Sequence, residues 1–221
     1  MWRDEPEMNR PQIVAVLGEG ATEDIRLASK ADMIELRLDL IRDPLPAARA
    51  IRQATGKPII ATNRLRAEGG RFLGSERERI EILAQASEYA DFIDIELQAE
   101  GRGEIISRVS RPAILSYHDF QGMPKIDEIA LLLERMRAAG AAIAKIAVTP
   151  GSLKDGLDLL GFLLSADMPV SLVAMGELGR HLRAVAPLYG SALAYAYVIE
   201  STAPGQMSLE ELSAARELLK W

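Results

Sequence analysis

A single lysine inside an apolar stretch is the residue of this chain that is best placed to do covalent chemistry. Lys145 lies in the middle of residues 141–150, AAIAKIAVTP, a run of small and β-branched residues that is typical of a buried strand. A buried ammonium group either finds a partner or loses its proton, and a neutral amine is a nucleophile. The chain has six lysines against twenty arginines, so solubility does not explain this lysine. A lysine that snorkels from a strand end to solvent is the alternative interpretation.

A histidine at the end of the preceding strand-like segment is the candidate proton-transfer group. His118 lies in SYHDF and is one of only two histidines in the chain. Histidine is the usual general acid or base near neutral pH, although a histidine at a strand end also serves as a structural hydrogen-bonding group. The other histidine, His181, lies in a helical context and is predicted to be on the surface.

Charged residues alternate with aliphatic residues in two of the strand-like segments. Glu35, Arg37 and Asp39 share one face of MIELRLDLI, and Asp94 and Glu96 share one face of DFIDIELQ. If both faces of these strands are covered, the charged side chains must pair with each other or with a ligand. Asp94 and Glu96 are equally consistent with carboxylates that hold a neighbouring cation or histidine.

Further polar residues lie where strand-like segments end. Arg64 precedes LRAEGG, whose paired glycines suggest a loop with a backbone that passes close to another group. Arg183 could bind a carboxylate through two hydrogen bonds or could simply lie on a helix surface. The APGQ segment would direct Thr202 and Gln206 toward the same end of the strands, either as a hydrogen-bonding lid or as a plain turn.

The elements that would position these residues alternate regularly between strand and helix. The strand-like runs cover residues 13–19, 33–41, 57–64, 91–98, 111–120, 141–150, 168–176 and 191–199. The clearest helical patterns cover residues 75–90, 126–140, 152–167 and 208–221, while those after the fourth and seventh strands are weak. Thr22 is predicted to cap the first helix. Ser208 and Glu211 are predicted to form a capping box.

This alternation predicts an α/β fold in which a parallel eight-stranded sheet closes into a (β/α)8 TIM barrel. A doubly wound open sheet is the competing architecture, but GEGATED after the first strand does not supply a GxGxxG motif. In a barrel of this type the active site lies at the carboxyl ends of the strands, so the polar residues found there are the functional candidates.

Composition excludes several classes of function. The net charge of −6 and the absence of a basic cluster argue against nucleic acid and membrane-surface partners. With no cysteine, the chain has neither disulfides nor thiolate chemistry. We expect a polar tail over residues 1–10, a single catalytic barrel domain over residues 11–221 and a cytoplasmic protein, because no signal-peptide or membrane-spanning pattern is present.

Taken together, these motifs resemble the type I 3-dehydroquinate dehydratases, the Schiff-base dehydratases of the shikimate pathway. The similarity extends over nearly the whole chain, in motifs that follow one another in the family's order and lie at strand ends. The motifs are ELRLD, TNR followed by EGG, DFIDIEL, SYHDF, AKIAVTP, MG followed by Arg183, YGSA and APGQ.

The resemblance implies that Lys145 forms an imine with the C3 ketone of 3-dehydroquinate and that His118 is the general acid and base. It further implies that Glu68 orients this histidine and that Arg183 binds the substrate carboxylate. The residues that would hold the substrate hydroxyls and close the site are Glu35, Arg37, Arg64, Thr202 and Gln206. Arg37 and Arg64 would also keep the pocket positive, which favours a neutral amine.

The resemblance also implies a homodimer, no cofactor other than the covalent imine, and no metal. Tyr195 falls where the family has an aromatic residue near the bound ring. The chain departs from the family pattern at Thr202, where a serine is usual, at Leu182, and at Val173, where a methionine is common. These departures concern substrate contacts and leave Lys145 and His118 in place.

Three other functions are compatible with some of these residues. A class I Schiff-base aldolase would use the same lysine and would have a phosphate site after strands 7 and 8. A metal-dependent isomerase would use the carboxylates and His118 as ligands, but it leaves Lys145 unexplained. A ligand-binding barrel without catalytic activity would have an unreactive lysine.

Overall fold

The computed structural model describes residues 10–221, and within this range a parallel sheet carries the helices on its outer side. The predicted polar tail lies outside the described residues except for Arg10, which is exposed. The strands are β1 (Gln12–Leu17), β2 (Met33–Arg37), β3 (Ile59–Thr62), β4 (Phe92–Glu96), β5 (Ala113–Asp119), β6 (Ile143–Val148), β7 (Val170–Ala174), β8 (Leu193–Tyr197) and the short β9 (Met207–Ser208). All eight predicted strands are therefore present, and β9 is an addition.

A helix follows each of the first eight strands. The helices are α1 (Ala21–Asp24), α2 (Pro44–Ala54), α3 (Glu76–Ala86), α4 (Arg102–Arg108), α5 (Ile126–Ala138), α6 (Leu153–Ser165), α7 (Gly176–Val185) and α8 (Leu209–Leu219). Both weakly predicted helices, α4 and α7, are formed. In the described part of the chain, none of the helices is both long and apolar enough to cross a bilayer.

Serine caps fix the start of three of these helices. Ser75, Ser152 and Ser208 each accept a hydrogen bond from the backbone three residues later, in capping boxes that include the predicted pair Ser208 and Glu211. The prediction that Thr22 caps α1 is wrong. Gly20 precedes that helix with φ +83°, and the Thr22 hydroxyl donates to the neighbouring Glu23 carboxylate instead.

The sheet has the order β7-β6-β5-β4-β3-β2-β1-β8-β9, and every pairing in it is parallel. It closes where β7 meets the start of β8, because Val170 pairs with Ser191 in a parallel bridge and accepts a hydrogen bond from the Ala192 N–H at 2.7 Å. The predicted (β/α)8 TIM barrel is therefore confirmed. Further along β7, the seam is joined by side-chain bonds of Ser171 and Ser191 to the backbone.

Burial divides the side chains of the strands into two sets. Those that point outward, such as Ile34, Leu36 and Ile146, pack under the helices in one large cluster. A smaller apolar cluster fills the barrel interior, and it includes Val14, Ile114 and Tyr195. Because successive residues of a strand face opposite sides, this arrangement puts the alternate polar residues of the strands inside the barrel. Dehydration and pairing of these residues then decide the properties of the site.

Close packing of α7 on β7 generates a prediction about stability. A Cβ atom added to Gly179 would lie 2.6 Å from the Ala174 carbonyl carbon, whereas one added to Gly161 in α6 would meet nothing within 4 Å. Gly179→Ala should lower the free energy of unfolding by about 1–3 kcal/mol through overpacking. Gly161→Ala, the matched control, should raise it by about 0.5–1 kcal/mol because alanine restricts the unfolded chain and favours helix. Urea denaturation of the two variants measures both changes, and equal effects would contradict the packing argument.

Candidate active site

The side chain of Lys145 lies inside the barrel, where two carboxylates from other strands bind it. Its Nζ is 3.0 Å from Glu35 Oε1 on β2 and 2.8 Å from Asp94 Oδ2 on β4. The lysine is 5% exposed, so the snorkelling interpretation is wrong. Thr62 on β3 donates a further hydrogen bond of 3.0 Å to the same Glu35 oxygen. The strand period thus brings together three charged groups that are far apart in the sequence.

Arg64 forms the second half of this buried network. Its guanidinium contacts Asp94 Oδ2 and Glu96 Oε1, both at 2.8 Å, and donates to Ser116 Oγ at 2.6 Å. Ser116 donates in turn to Asp94 Oδ1 at 2.7 Å. Burial alone would raise the pKa of Asp94, but Arg64 and Lys145 outweigh it and hold that pKa far below its usual range. Asp94 is therefore ionised, and both candidate carboxylates, Asp94 and Glu96, contact buried cations.

One expectation about the charge around the lysine is wrong. Arg37 and Arg64 were expected to surround Lys145 with positive charge, yet its nearest charged groups are carboxylates. Each of the two arginines is itself neutralised, Arg37 by Asp39 and Arg64 by Asp94 and Glu96. The physical reason is the cost of leaving a charge unpaired in a dehydrated interior, which makes alternation of sign the stable arrangement.

His118 and Glu68 form a hydrogen-bonded pair beside this network. Glu68 Oε2 lies 2.9 Å from His118 Nδ1 and accepts the His118 backbone N–H at 3.0 Å. Burial raises the pKa of Glu68 to about 7, with Glu96 contributing in the same direction. Burial, together with the positive charges of Arg64 and Lys145, lowers the pKa of His118 well below its usual value. At pH 7 the imidazole is therefore neutral, and Glu68 fixes the orientation of its ring.

Arg37 and Asp39 form a rigid pair at the mouth of the barrel. Arg37 donates from Nε and Nη2 to the two Asp39 oxygens, each at 2.8 Å. Asp39 also accepts the backbone N–H groups of Arg64 and Arg71. Burial would raise the pKa of Asp39, but its bonds to Arg37 prevail and lower it. Because Asp39 lies in the turn after β2, the pair joins the end of this strand to the loop after β3.

Arg183, on the last turn of α7, is the buried cation without a carboxylate partner among residues 10–221. It is 6% exposed, and its bond to a backbone oxygen, that of Pro204, measures 3.2 Å from Nη2. Its Nε is buried and makes no hydrogen bond with any described residue. Burial, with a smaller effect of Arg180, lowers the pKa of Arg183 to about 10. A guanidinium left in this state is suited to bind an anion.

The segment that contains Thr202 and Gln206 lies across the mouth of the barrel. Gln206 Oε1 accepts the Thr202 backbone N–H at 2.8 Å and its hydroxyl at 3.1 Å. The Gly176 N–H, at the start of α7, donates to the Pro204 carbonyl at 3.1 Å. A Cβ atom added to Gly205 would lie 2.3 Å from the Gly176 carbonyl oxygen, so this contact requires a glycine. The segment is therefore docked on α7 backbone to backbone.

The paired glycines after Arg64 lie in a loop whose backbone passes close to other groups, as predicted. A Cβ atom added to Gly70 would lie 1.9 Å from the Arg64 carbonyl oxygen, and one added to Gly69 would lie 2.6 Å from the ring of Phe120. The turn that carries Glu68 thus packs directly against Phe120, whose ring stacks on His118 with centroids 6.4 Å apart. This packing holds Glu68 against the histidine.

A cavity at the carboxyl ends of the strands brings the predicted residues together. It measures about 60 Å³ and opens beside a larger cavity of about 380 Å³ at the ends of β1, β2 and β8. All nine predicted site residues line the smaller cavity: Lys145, His118, Glu68, Glu35, Arg37, Arg64, Arg183, Thr202 and Gln206. His181, predicted to lie on the surface, is exposed.

Sequence reasoning missed two members of the buried network. Arg79 on α3 is 2% exposed and contacts Glu96 Oε2 at 3.0 Å and Glu76 Oε2 at 2.7 Å. Ser116 joins Arg64 to Asp94. An arginine beside Ile80 in the buried face of a helix was the available signal for Arg79. No local pattern marks Ser116, which is one small residue in a buried strand.

The geometry bears on the alternative functions. Within residues 10–221, no three histidine or acidic side chains converge as a metal-binding group, since the candidate carboxylates bind cations instead. The aldolase interpretation predicts a phosphate site after strands 7 and 8. There the N–H group of Gly176 already donates to Pro204, so this end of the helix is occupied by the chain itself.

Comparison with known proteins gives a consistent answer over most of the chain. The sequence model of the family described as type I 3-dehydroquinase matches residues 14–220. The 3-dehydroquinate dehydratase of Methanothrix thermoacetophila is 51% identical over 214 residues, which is 95% of this chain and 92% of that relative. That of Methanosarcina barkeri is 43% identical over 228 residues and 94% of both chains.

Solved structures extend the similarity to three dimensions. The 3-dehydroquinate dehydratase of Geobacillus kaustophilus superposes with a TM-score of 0.87 at 29% identity, covering 96% of this chain and 92% of the other. The type I enzyme of Clostridium difficile, solved with covalent modified comenic acid, gives a TM-score of 0.85 at 30% identity over 95% and 92% of the two chains. The chain belongs to the type I 3-dehydroquinase family.

Proposed function

We propose that this protein is a 3-dehydroquinate dehydratase that removes water from 3-dehydroquinate through an imine on Lys145. One observation carries the proposal: a single cavity holds a buried amine, a neutral imidazole and a buried guanidinium that has no carboxylate partner in the described residues. Amine and imidazole are the groups that an imine-forming elimination needs, and the guanidinium suits a carboxylate substrate. The relatives named above carry this activity in their names.

The first step forms the imine. His118, a neutral base, accepts a proton from the Lys145 nitrogen, and the amine adds to the C3 ketone. The ketone oxygen gains protons and leaves as water, so that a protonated imine links Nζ to C3. Before the reaction begins, Glu35 and Asp94 hold the Lys145 Nζ in position, at 3.0 and 2.8 Å from it.

The second step is the elimination. The protonated imine draws electrons from the C2–H bond, and His118 takes the proton to leave an enamine. The enamine electrons then expel the C1 hydroxyl, which departs as water with the proton from His118. A water molecule finally hydrolyses the imine, which releases 3-dehydroshikimate and the free lysine. One water is lost overall, since the water released in imine formation is returned in hydrolysis.

The remaining residues bind and orient the substrate. Arg183 would bind the carboxylate, for which its Nε is available, while Glu35, Arg37 and Arg64 would face the hydroxyls of the ring. Thr202 and Gln206 lie in the segment across the mouth and would complete the site. In this scheme no cofactor or metal takes part, residues 11–221 act as one catalytic barrel, and a cytoplasmic homodimer is the expected state.

Borohydride trapping tests the covalent step. Sodium borohydride added with 3-dehydroquinate should inactivate the protein and leave one reduced adduct on Lys145, because only an imine is reduced to a stable amine. Peptide mass spectrometry locates the adduct, and Lys145→Ala should give neither adduct nor activity. Lys154, which is exposed on α6, provides the matched control Lys154→Ala, which should be trapped like the wild type. Full activity in Lys145→Ala would refute the mechanism.

The histidine–glutamate pair predicts a dependence on pH. The Glu68 carboxyl, with its pKa raised to about 7, loses its proton as pH rises through neutrality, and the anion then makes His118 a stronger base. We therefore expect kcat/KM to rise between about pH 6 and 8. The glutamine of Glu68→Gln cannot titrate, so the rise of kcat/KM between about pH 6 and 8 should disappear. Any fall of kcat/KM in acid that remains, from protonation of His118, should occur at lower pH. The control Glu88→Gln, at an exposed position, should keep the wild-type profile. An unchanged inflection in Glu68→Gln would remove this residue from the scheme.

Removal of the buried guanidinium should weaken substrate binding. Arg183→Ala should raise KM by about 10- to 100-fold, which corresponds to the loss of charge-assisted hydrogen bonds, with a smaller effect on kcat. Steady-state kinetics separate the two constants, and Arg135→Ala, an exposed arginine on α5, serves as the control. A wild-type KM in Arg183→Ala would mean that another group binds the carboxylate.

A further inference from the structure

The aromatic ring of Tyr195 lies against the nitrogen of Lys145. Tyr195 on β8 points into the barrel, is 6% exposed, and belongs to the apolar cluster of the interior. The Lys145 Nζ lies over its ring, 4.0 Å from the centroid. This is the geometry of a cation–π contact, in which the negative face of the ring attracts a positive nitrogen. The contact involves the atom at which the imine of the proposed function would form.

The Lys145 nitrogen has fewer N–H bonds in the imine than in the free lysine. An ammonium group has three N–H bonds, and two of them serve Glu35 and Asp94. A protonated imine has one N–H, so at least one of these two hydrogen bonds is lost when the imine forms. The positive charge remains, however, and attraction to the face of a ring does not need an N–H bond. The Tyr195 contact is therefore compatible with both states.

The two carboxylates are not affected equally by this loss. Asp94 keeps Arg64 and Ser116 as partners, whereas Glu35 keeps the Thr62 hydroxyl. The nitrogen itself has no further charged partner within residues 10–221 beyond these two carboxylates. In the imine state its charge is therefore balanced by the two carboxylates, at least one of which has lost its N–H bond, and by the face of the ring.

The hydroxyl of Tyr195 is separate from this contact. It is buried and makes no hydrogen bond to any described residue. Burial, followed by the negative charges of Glu35 and Asp94, raises the pKa of this phenol well above its usual value. The side chain is consequently neutral, and its effect on Lys145 comes from the ring rather than from a phenolate. Phenylalanine can reproduce that ring.

We propose that the Tyr195 ring is a catalytic group that stabilises the positive charge on the Lys145 nitrogen in the protonated imine. This inference rests on the proposed function. It assigns to the ring an electrostatic role in addition to its packing in the barrel interior. The distinction is measurable because the charge distribution of an aromatic ring can be altered with little change in its shape.

The experiment replaces Tyr195 with phenylalanine and then with phenylalanines that carry one, two and three fluorine atoms, introduced at this position alone. Fluorine withdraws electrons from the ring face and weakens cation–π attraction stepwise. The fraction of protein trapped by borohydride at a fixed 3-dehydroquinate concentration is measured by mass spectrometry. We expect it to fall with each fluorine, by a total of about 2- to 30-fold, the range that corresponds to cation–π contacts of different burial.

Two controls separate this effect from packing. The same fluorinated series at Phe162, buried under α6 away from the cavity, should leave the trapped fraction unchanged. Tyr195→Leu keeps an apolar side chain without a ring face. Its trapped fraction should be as low as that of the variant with three fluorine atoms. Thermal unfolding of every variant shows whether the fold is retained, and the fluorinated series decides the question if Tyr195→Leu does not fold.

The outcomes distinguish this inference from the proposed function. If the wild type is trapped on Lys145 and the fluorinated series at Tyr195 shows no trend, the ring has only a packing role and the inference is wrong. A trend that follows the unfolding temperature rather than fluorine number overturns it as well. If the wild type itself is not trapped, the proposed imine mechanism fails first.

Discussion

The pairing of buried charges at the centre of the barrel is the constraint on which the rest of the structure depends. Lys145 lies between Glu35 and Asp94, Asp94 also binds Arg64, and Arg64 binds Glu96. Each of these groups would be strongly destabilising alone in a dehydrated interior. Together they require strands β2, β3, β4 and β6 to keep one register, because a shift by one residue would turn a charge outward under the helices. The network therefore fixes the relative positions of the strands while it holds the amine in place.

The same network divides the barrel mouth into regions with different chemistry. Near Glu68 and His118, dehydration favours neutral groups, as their shifted pKa values show. Around Arg64, charges of opposite sign neutralise one another and stay ionised. Arg183 belongs to neither region, since its guanidinium is buried without a carboxylate partner in the described residues. A histidine–glutamate pair, a lysine held by two carboxylates and a guanidinium without a described carboxylate partner thus lie around one cavity, each produced by a different balance of burial and pairing.

Much of this arrangement could be predicted from the sequence, for reasons that are local. Alternation in ELRLD and DFIDIEL places the charges on one face, and eight strand–helix repeats bring those faces into one interior. What the sequence did not reveal depends on pairing across the fold. The neutralisation of Arg64 by Glu96, the contribution of Arg79 from a helix, and the carboxylates around Lys145 each join residues that no local pattern connects. The prediction of a Thr22 cap was wrong because α1 begins earlier, after Gly20, which occupies the N-cap position with a positive φ.

The contact of Arg183 with Pro204 has a consequence for the choice of substrate. One N–H of the guanidinium already holds the carbonyl of the segment across the mouth, and the buried Nε remains available. A planar guanidinium keeps its donors in a fixed relative geometry, so an anion bound by one part of it is located relative to both the covering segment and the barrel wall. Lys145 is fixed just as firmly by its two carboxylates. In the proposed scheme, a substrate must therefore separate its anionic group from its ketone by the distance between these two fixed nitrogen atoms.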